Sequence, residues 1–336
     1  MATPRSKLVD SENALSYHLV SRCVRGAFLC GRDPTTGRDC SHRRRWLIDR
    51  LLFLAQFFAV EIDSYAVLSN HFHLAAHYDP KACLGWSEAE VARRWVAAFP
   101  PMEDGVPAED RKPLEQERLL ADPKRLARAR ATLGSLSSFM KHLKQPIARR
   151  ANKEDGVKGH FFEQRFYSGA LLDDEAVLAA MAYIDLNPVR AKLANHLSEC
   201  RDASIGERLR VNRAQALDEF LAPLASGLDC VQDLGGGSSD APVSGIGESE
   251  ETTSDTGRLG PAPRIRMTLR GYIELLEGIM AARSASAKSQ GPDSARRWLA
   301  RVTSMRKRQR AYGRQGALSQ WMAQRGMRCW EVPLSA

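Results

Sequence analysis

Apolar and polar residues alternate over residues 17–24 (YHLVSRCV), the period of a half-buried strand, and residues 33–37 supply turn chemistry after it. Ser41 is a residue type that caps helices, and the strongly apolar SHRRRWLIDRLLFLAQFFAVEI that starts there predicts a helix with a basic first turn. SYAVL and HFHLAAH then predict two strands separated by Ser69-Asn70, a tight turn. Residues 79–122 have prolines near their middle, mixed charge and one helical piece at 87–99, and are expected to be an insertion. A long helix is expected over 123–152 and a strand over 160–167. A third helix follows, opened by Asp173 or Asp174 and stopped by Pro188. The order β-α-β-β-α-β-α predicts an α+β fold: a ferredoxin-like antiparallel sheet backed by helices, within a domain spanning 12–226.

The rest of the chain changes that picture in two ways. Residues 229–257 hold seven acidic residues and no Lys or Arg in a Gly/Ser/Thr-rich setting, too few apolar groups to order themselves, so 227–262 is expected to be an acidic flexible linker. Residues 264–336 hold fifteen Lys+Arg against four Asp+Glu, a net +11 that exceeds the +9 of the whole chain. With helical patterns at 269–280 and 294–312, residues 263–336 are expected to form a basic helical C-terminal extension with affinity for an anionic partner such as nucleic acid. At 43% hydrophobic residues the chain can bury a large core. No apolar run of membrane-spanning length occurs and the N-terminus lacks a secretory pattern, from which no membrane association and a cytoplasmic location are expected. Seven scattered cysteines, none in a C-x-x-C pair, are expected to be reduced, with no zinc knuckle.

Two constellations carry chemistry. His71-Phe72-His73 puts two imidazoles at i and i+2 on a strand, hence on one face, where they can hold a divalent cation. An arbitrary H-x-H is more often two half-buried histidines on a sheet. In MAYIDLNPV, Tyr183 and Asn187 stand one helical turn apart, behind a small face of Ala176, Ala179 and Ala180 that lets the helix approach a sheet closely. Taken singly, the tyrosine reads equally as a core ring and the asparagine as a C-cap before proline.

SNHFHL, GHFFEQRFYSGAL and AYIDLNPVRAKL, in this order, resemble the single-tyrosine transposases of the His-hydrophobic-His superfamily, most nearly the REP-associated tyrosine transposases, over about residues 13–194. The resemblance implies a DNA strand-transferase acting on single-stranded or hairpin DNA. Its implied nucleophile is Tyr183 and its implied metal ligands are His71, His73 and Asn187, binding Mg²⁺ or Mn²⁺. Attack by the tyrosine would leave a 5′-phosphotyrosine and a free 3′-hydroxyl. A domesticated DNA-binding regulator of the same fold is the alternative, and a homodimer is conceivable.

Several residues leave choices open. His77 shares strand parity with His71 and His73, so an all-histidine site is conceivable, although at ~3.3 Å per residue it lies about 13 Å along the strand from His73. Tyr167 is a rival nucleophile that lacks an amide at i+4. Arg165 and Arg190 are expected to contact the scissile phosphate, and Lys141, Lys144, Arg149 and Arg150 to track the DNA backbone. The run Met305-Arg306-Lys307-Arg308-Gln309-Arg310 is expected to act as a sequence-independent clamp.

Overall fold

A computed structural model describes residues 4–211, 217–228, 265–284, 293–328 and 333–334; the acidic stretch 229–257 lies outside them. After a short helix α1 (Arg5–Leu8), the elements are β1 (Leu15–Arg22), α2 (His42–Ala55), β2 (Val60–Val67) and β3 (His71–Tyr78). The insertion is α3 (Glu88–Ala98), the hairpin β4 (Met102–Glu103) and β5 (Val106–Pro107), and α4 (Lys112–Leu120). Then come α5 (Pro123–Leu133), α6 (Leu136–Asp155), β6 (Tyr167–Leu171), α7 (Asp174–Asp185), α8 (Asn187–Arg190), α9 (Ser204–Val211) and β7 (Ala225–Ser226). The C-terminal part supplies α10 (Leu269–Ser284), α11 (Asp293–Ser304), β8 (Ala311–Tyr312) and α12 (Gln315–Gln324).

The strands form one sheet in the order β7-β2-β3-β1-β6-β8, antiparallel throughout except for the parallel β6–β8 pair, so the fold is α+β. Because side chains alternate across a strand, Tyr17 and Leu19 of β1 and Phe72, Leu74 and Ala76 of β3 enter one core with Leu47 and Leu51 of α2 and Phe139 and Leu143 of α6. Ala66 and Ala75 face the opposite core, shared with α7, α10 and α11. A bulge between Ile62 and Ser64 keeps β2 in step: Val60 and Ile62 before it, and Tyr65 and Val67 after it, all face the first core. The buried Arg43 of α2 clamps α6 through the carboxylates of Asp155 and Glu154 (Nη1–Oδ2 3.1 Å to Asp155).

Five sequence expectations need correction. The helix expected over 41–62 ends at Ala55, and Val60–Ile62 at its expected end instead open β2, where they pair with Ala76–Tyr78 of β3. The single helix over 123–152 is two, α5 and α6, broken at Gly134. A side chain at that glycine would collide with Cys83, and Ser135 caps the next helix by accepting from Ser138 N–H. The strand expected at 160–167 begins only at Tyr167, because Phe161, Phe162 and Phe166 fold into the first core as a non-extended loop. The third helix, capped by Asp173 as expected, ends at Asp185, and Asn187 opens the short α8; Pro188 has no N–H with which to continue the ladder. The helix expected over 294–312 stops at Ser304, and residues 311–312 form β8.

The C-terminal part is built into the fold. β8 extends the sheet, and Leu318, Trp321 and Met322 of α12 pack into the first core. Among the described residues no helix is long and apolar enough to cross a membrane, and the five described cysteines are buried and free.

Candidate active site

The register of β1 against β3 sets the geometry: Arg22 lies opposite His71, Val20 opposite His73 and His18 opposite Ala75. His18, His71 and His73 therefore share the face that receives α7. The rings of His71 and His73 are 4.9 Å apart, and the Tyr183 ring is 5.5 Å from His73 and 5.6 Å from His18. Ala176, Ala179 and Ala180 are fully buried against the sheet, the close approach their small side chains permit. The helix break at Leu186 keeps the backbone right-handed (φ −84°, ψ −5°), so Tyr183 and Asn187 stay on one side and line one cleft.

Each histidine has a distinct hydrogen bond. His71 Nδ1 lies 2.6 Å from Asn70 Oδ1, and Asn70 Nδ2 donates to the Gly26 carbonyl at 3.1 Å, which fixes the amide's orientation. His71 must then carry its proton on Nδ1 and keep a lone pair on Nε2. His73 Nδ1 lies 2.9 Å from His18 Nε2, both rings being buried. Burial pulls His71 down to about 4 and His18 to about 3, helped in both by the positive charge of Arg308, and for His71 also by that of Arg22. Burial, then the neighbouring His18 and His71, hold His73 well below the ordinary imidazole range. All three are neutral at pH 7, the state in which imidazole can ligate a cation.

His73 Nε2, Asn187 Nδ2 and Arg190 Nη1 are buried with no hydrogen-bond partner. Buried polar groups are normally satisfied, so these three leave hydrogen-bonding or ligating capacity open beside Tyr183. Two neutral imidazoles and the Oδ1 carbonyl oxygen of Asn187 are a donor set that fits a divalent cation with open positions. No three His, Cys, Asp or Glu side chains among the described residues converge as a metal site of those types alone requires, so neither His18 nor His77 completes an all-histidine set. His77 turns instead to Ser16 (Nδ1–Oγ 3.1 Å).

In front of these groups lies a cleft of about 780 Å³. One wall is Tyr183, Asn187 and Arg190 from α7 and α8, and the other is Met280 and Arg283 of α10 with Leu299, Val302, Thr303 and Arg306 from α11 and its end. Arg22 and His71 line it from the sheet. The Arg190 guanidinium sits 4.8 Å from the centre of the Tyr183 ring. None of Arg22, Arg190, Arg283 and Arg306 pairs with a described carboxylate, so four cations converge on one opening.

Known proteins add little to this geometry. No family model and no curated protein matches the sequence. One solved structure, a REP-associated tyrosine transposase bound to a REP hairpin, aligns with 73% of this chain and 100% of its own at 13% identity and a TM-score of 0.37. A likeness at that TM-score does not bear on what this chain does.

Other residues singled out in the sequence lie elsewhere. Lys141, Lys144, Arg149 and Arg150 are on α6, across the sheet from Tyr183: Lys144 donates to the Glu163 carbonyl (3.2 Å) and Arg150 stacks on Trp46 (3.7 Å). Arg165 is exposed and outside the cleft. The hydroxyl of Tyr167 donates to the Gln309 carbonyl and lies 2.7 Å from that of Tyr312, so this tyrosine anchors the C-terminal part, and burial raises its pKa well above the ordinary phenol value. The run 305–310 is not a free basic strand: Met305 is buried, Arg306 lines the cleft and Arg308 lies 5.7 Å from the Tyr167 ring.

Four residues at or behind the site, His18, Arg22, Asp185 and Arg283, go unassigned in the sequence. His18 and Arg22 share a strand face by simple alternation, which placing β1 beside β3 would have revealed. Asp185, inside the AYIDLNP motif, is fully buried; it accepts from Ser204 Oγ, Ile205 N–H and Tyr272 Oη (2.7 Å), tying the tyrosine helix to α9 and α10. Arg283 reaches the cleft only through tertiary packing and has no local signal, whereas Arg306, part of the basic run 305–310, is brought to the cleft rather than to an open clamp.

Proposed function

We propose that the protein is a single-tyrosine DNA strand-transferase that nicks and rejoins single-stranded or hairpin DNA on a ferredoxin-like sheet, with Tyr183 as nucleophile. The observation that carries this reading is the meeting at one cleft of Tyr183, the lone pair of His71, Asn187 and four arginines that pair with no carboxylate among the described residues. A phosphodiester is the substrate whose charge and shape such a cleft suits.

The phenol oxygen of Tyr183 attacks phosphorus in line; an O–P bond to tyrosine forms and the P–O3′ bond breaks. The phenol loses one proton and the leaving 3′-oxygen gains one, so the products are a 5′-phosphotyrosine and a 3′-hydroxyl. The reverse attack on another end restores a strand without an external energy source. Arg190, stacked over the phenol, and Arg22, beside His71, are positioned to offset the charge that builds on the phosphoryl oxygens. His71, His73 and Asn187 would hold Mg²⁺ or Mn²⁺, which when bound supplies Lewis-acid polarisation of a phosphate oxygen.

Incubation with labelled hairpin DNA and Mn²⁺, denaturing electrophoresis and peptide mapping test the proposal. A covalent adduct is expected on Tyr183, absent in Tyr183→Phe and retained in Tyr167→Phe. An adduct mapped to another residue, or one that survives chelation together with His71→Ala and His73→Ala, overturns it.

A further inference from the structure

The two motif histidines are held by different partners. Asn70 can only accept from His71, because its amide nitrogen is committed to Gly26, so the proton of His71 is confined to Nδ1. His73 instead faces another histidine, and an imidazole can either donate or accept. Two arrangements are possible. If His73 Nδ1–H donates to His18 Nε2, His73 Nε2 presents a lone pair and the proton of His18 sits on Nδ1. If His18 Nε2–H donates, His73 Nε2 becomes a donor and can ligate nothing. The two arrangements leave the same two buried atoms, His18 Nδ1 and His73 Nε2, without protein partners, so local hydrogen bonding alone does not choose between them.

We infer that His18 is a positioning residue that accepts from His73 Nδ1–H and so presents His73 Nε2 as a lone pair to a divalent cation, doing for His73 what Asn70 does for His71. This rests on the metal-dependent reading above. A cation beside His73 Nε2 satisfies one of the two orphaned atoms in the first arrangement and repels the N–H of the second, so its binding selects the first. Ring packing holds His18 in place for this hydrogen bond. The His18 and His73 rings lie 5.2 Å apart and 21° from parallel, and His18 is flanked edge-on by Tyr167 and Tyr183, which restrict ring rotation.

The test uses the full chain, with Mn²⁺ binding followed by electron paramagnetic resonance and His73 protonation read from nitrogen-15 NMR in Mg²⁺. Loss of an outer-shell partner weakens metal binding roughly 10- to 100-fold, so His18→Phe is expected to raise the Mn²⁺ Kd by that factor. His18→Gln, whose amide oxygen can accept in place of Nε2, is expected to stay within a few-fold of the wild type. Wild-type His73 should show its proton on Nδ1. Equal Mn²⁺ affinity in wild type and His18→Phe, or a wild-type His73 protonated on Nε2 with Mg²⁺ bound, overturns the role of His18 while leaving the cation site standing. A wild-type protein that binds no Mn²⁺ overturns the metal reading itself, and the inference with it. Should His18→Phe fail to fold, the wild-type NMR spectrum and His18→Gln still decide the question.

Discussion

The two faces of the sheet differ in what β1 and β3 present to the helices that cover them. Against α2 and α6 the sheet presents Tyr17, Leu19, Phe72 and Leu74, which bury large side chains against Leu47, Leu51, Phe139 and Leu143. Against α7 the same two strands present His18, His71 and His73, beside a helix whose packing residues are alanines, and leave polar atoms unsatisfied. Burying an apolar side chain stabilises by about 1.5–3 kcal/mol, whereas an unpaired buried polar group costs about 1–3 kcal/mol. The first face therefore supports the fold. The second has an apolar core of its own with α7, α10 and α11, and beside it keeps polar groups available around Tyr183.

Three substitutions or conditions would break or sharpen this contrast. The largest effect is expected from Phe139→Ala, which empties a fully buried position on the apolar face: stability should fall by about 4 kcal/mol in denaturant unfolding, while adduct yield per folded molecule stays unchanged. A loss of adduct beyond the unfolded fraction would show that the faces are coupled. Acidification comes next. His18 and His71 titrate near 3 and 4 in the fold but near 6.5 when unfolded, so the unfolded chain takes up protons first as pH falls. Stability present above pH 6.5 should be lost progressively down to about pH 3, and His71→Asn should flatten the slope between about pH 6.5 and 4; an unchanged slope would place the pH dependence elsewhere. The smallest effect separates the basic groups of the two faces. Arg283→Ala with Arg306→Ala should weaken oligonucleotide binding about tenfold and make the slope of log affinity against log salt shallower by roughly 1.4, or about 0.7 for each charge on a single strand. Lys141→Ala with Arg149→Ala, across the sheet, should change neither; if they change it equally, the cleft is not the principal contact.

How much of this was legible in the sequence follows the range of the interactions. Alternation in YHLVSRCV and HFHLAAH and the cap at Asp173 are local, and the strands and the tyrosine helix appear where they predict. The fit of Tyr183 and Asn187 to one side of the sheet was legible too, since a turn of helix fixes it whether or not Pro188 breaks the ladder. The break within 123–152 is signalled locally by Gly134 followed by the cap residue Ser135, and the contact of Gly134 with Cys83 adds a long-range reason for it. The basic residues of α6 were assigned to DNA by charge alone, and charge does not say which side of a sheet a helix covers. The C-terminal part read as an appendage because Tyr272 with Asp185, Tyr312 with Tyr167 and Arg306 with the cleft are long-range pairs.

That last arrangement has a consequence for how the protein is made. β8 joins the sheet beside β6, and α10 and α11 close the cleft, yet these elements are the last of the sheet and the cleft to be translated. A ribosome-bound chain can fold the histidine strands and deliver Tyr183 to them while half of the basic groove, Arg283 and Arg306, is still inside the exit tunnel or unsynthesised. A nascent or prematurely terminated chain would thus present Tyr183 on its sheet without the α10–α11 wall that completes the cleft.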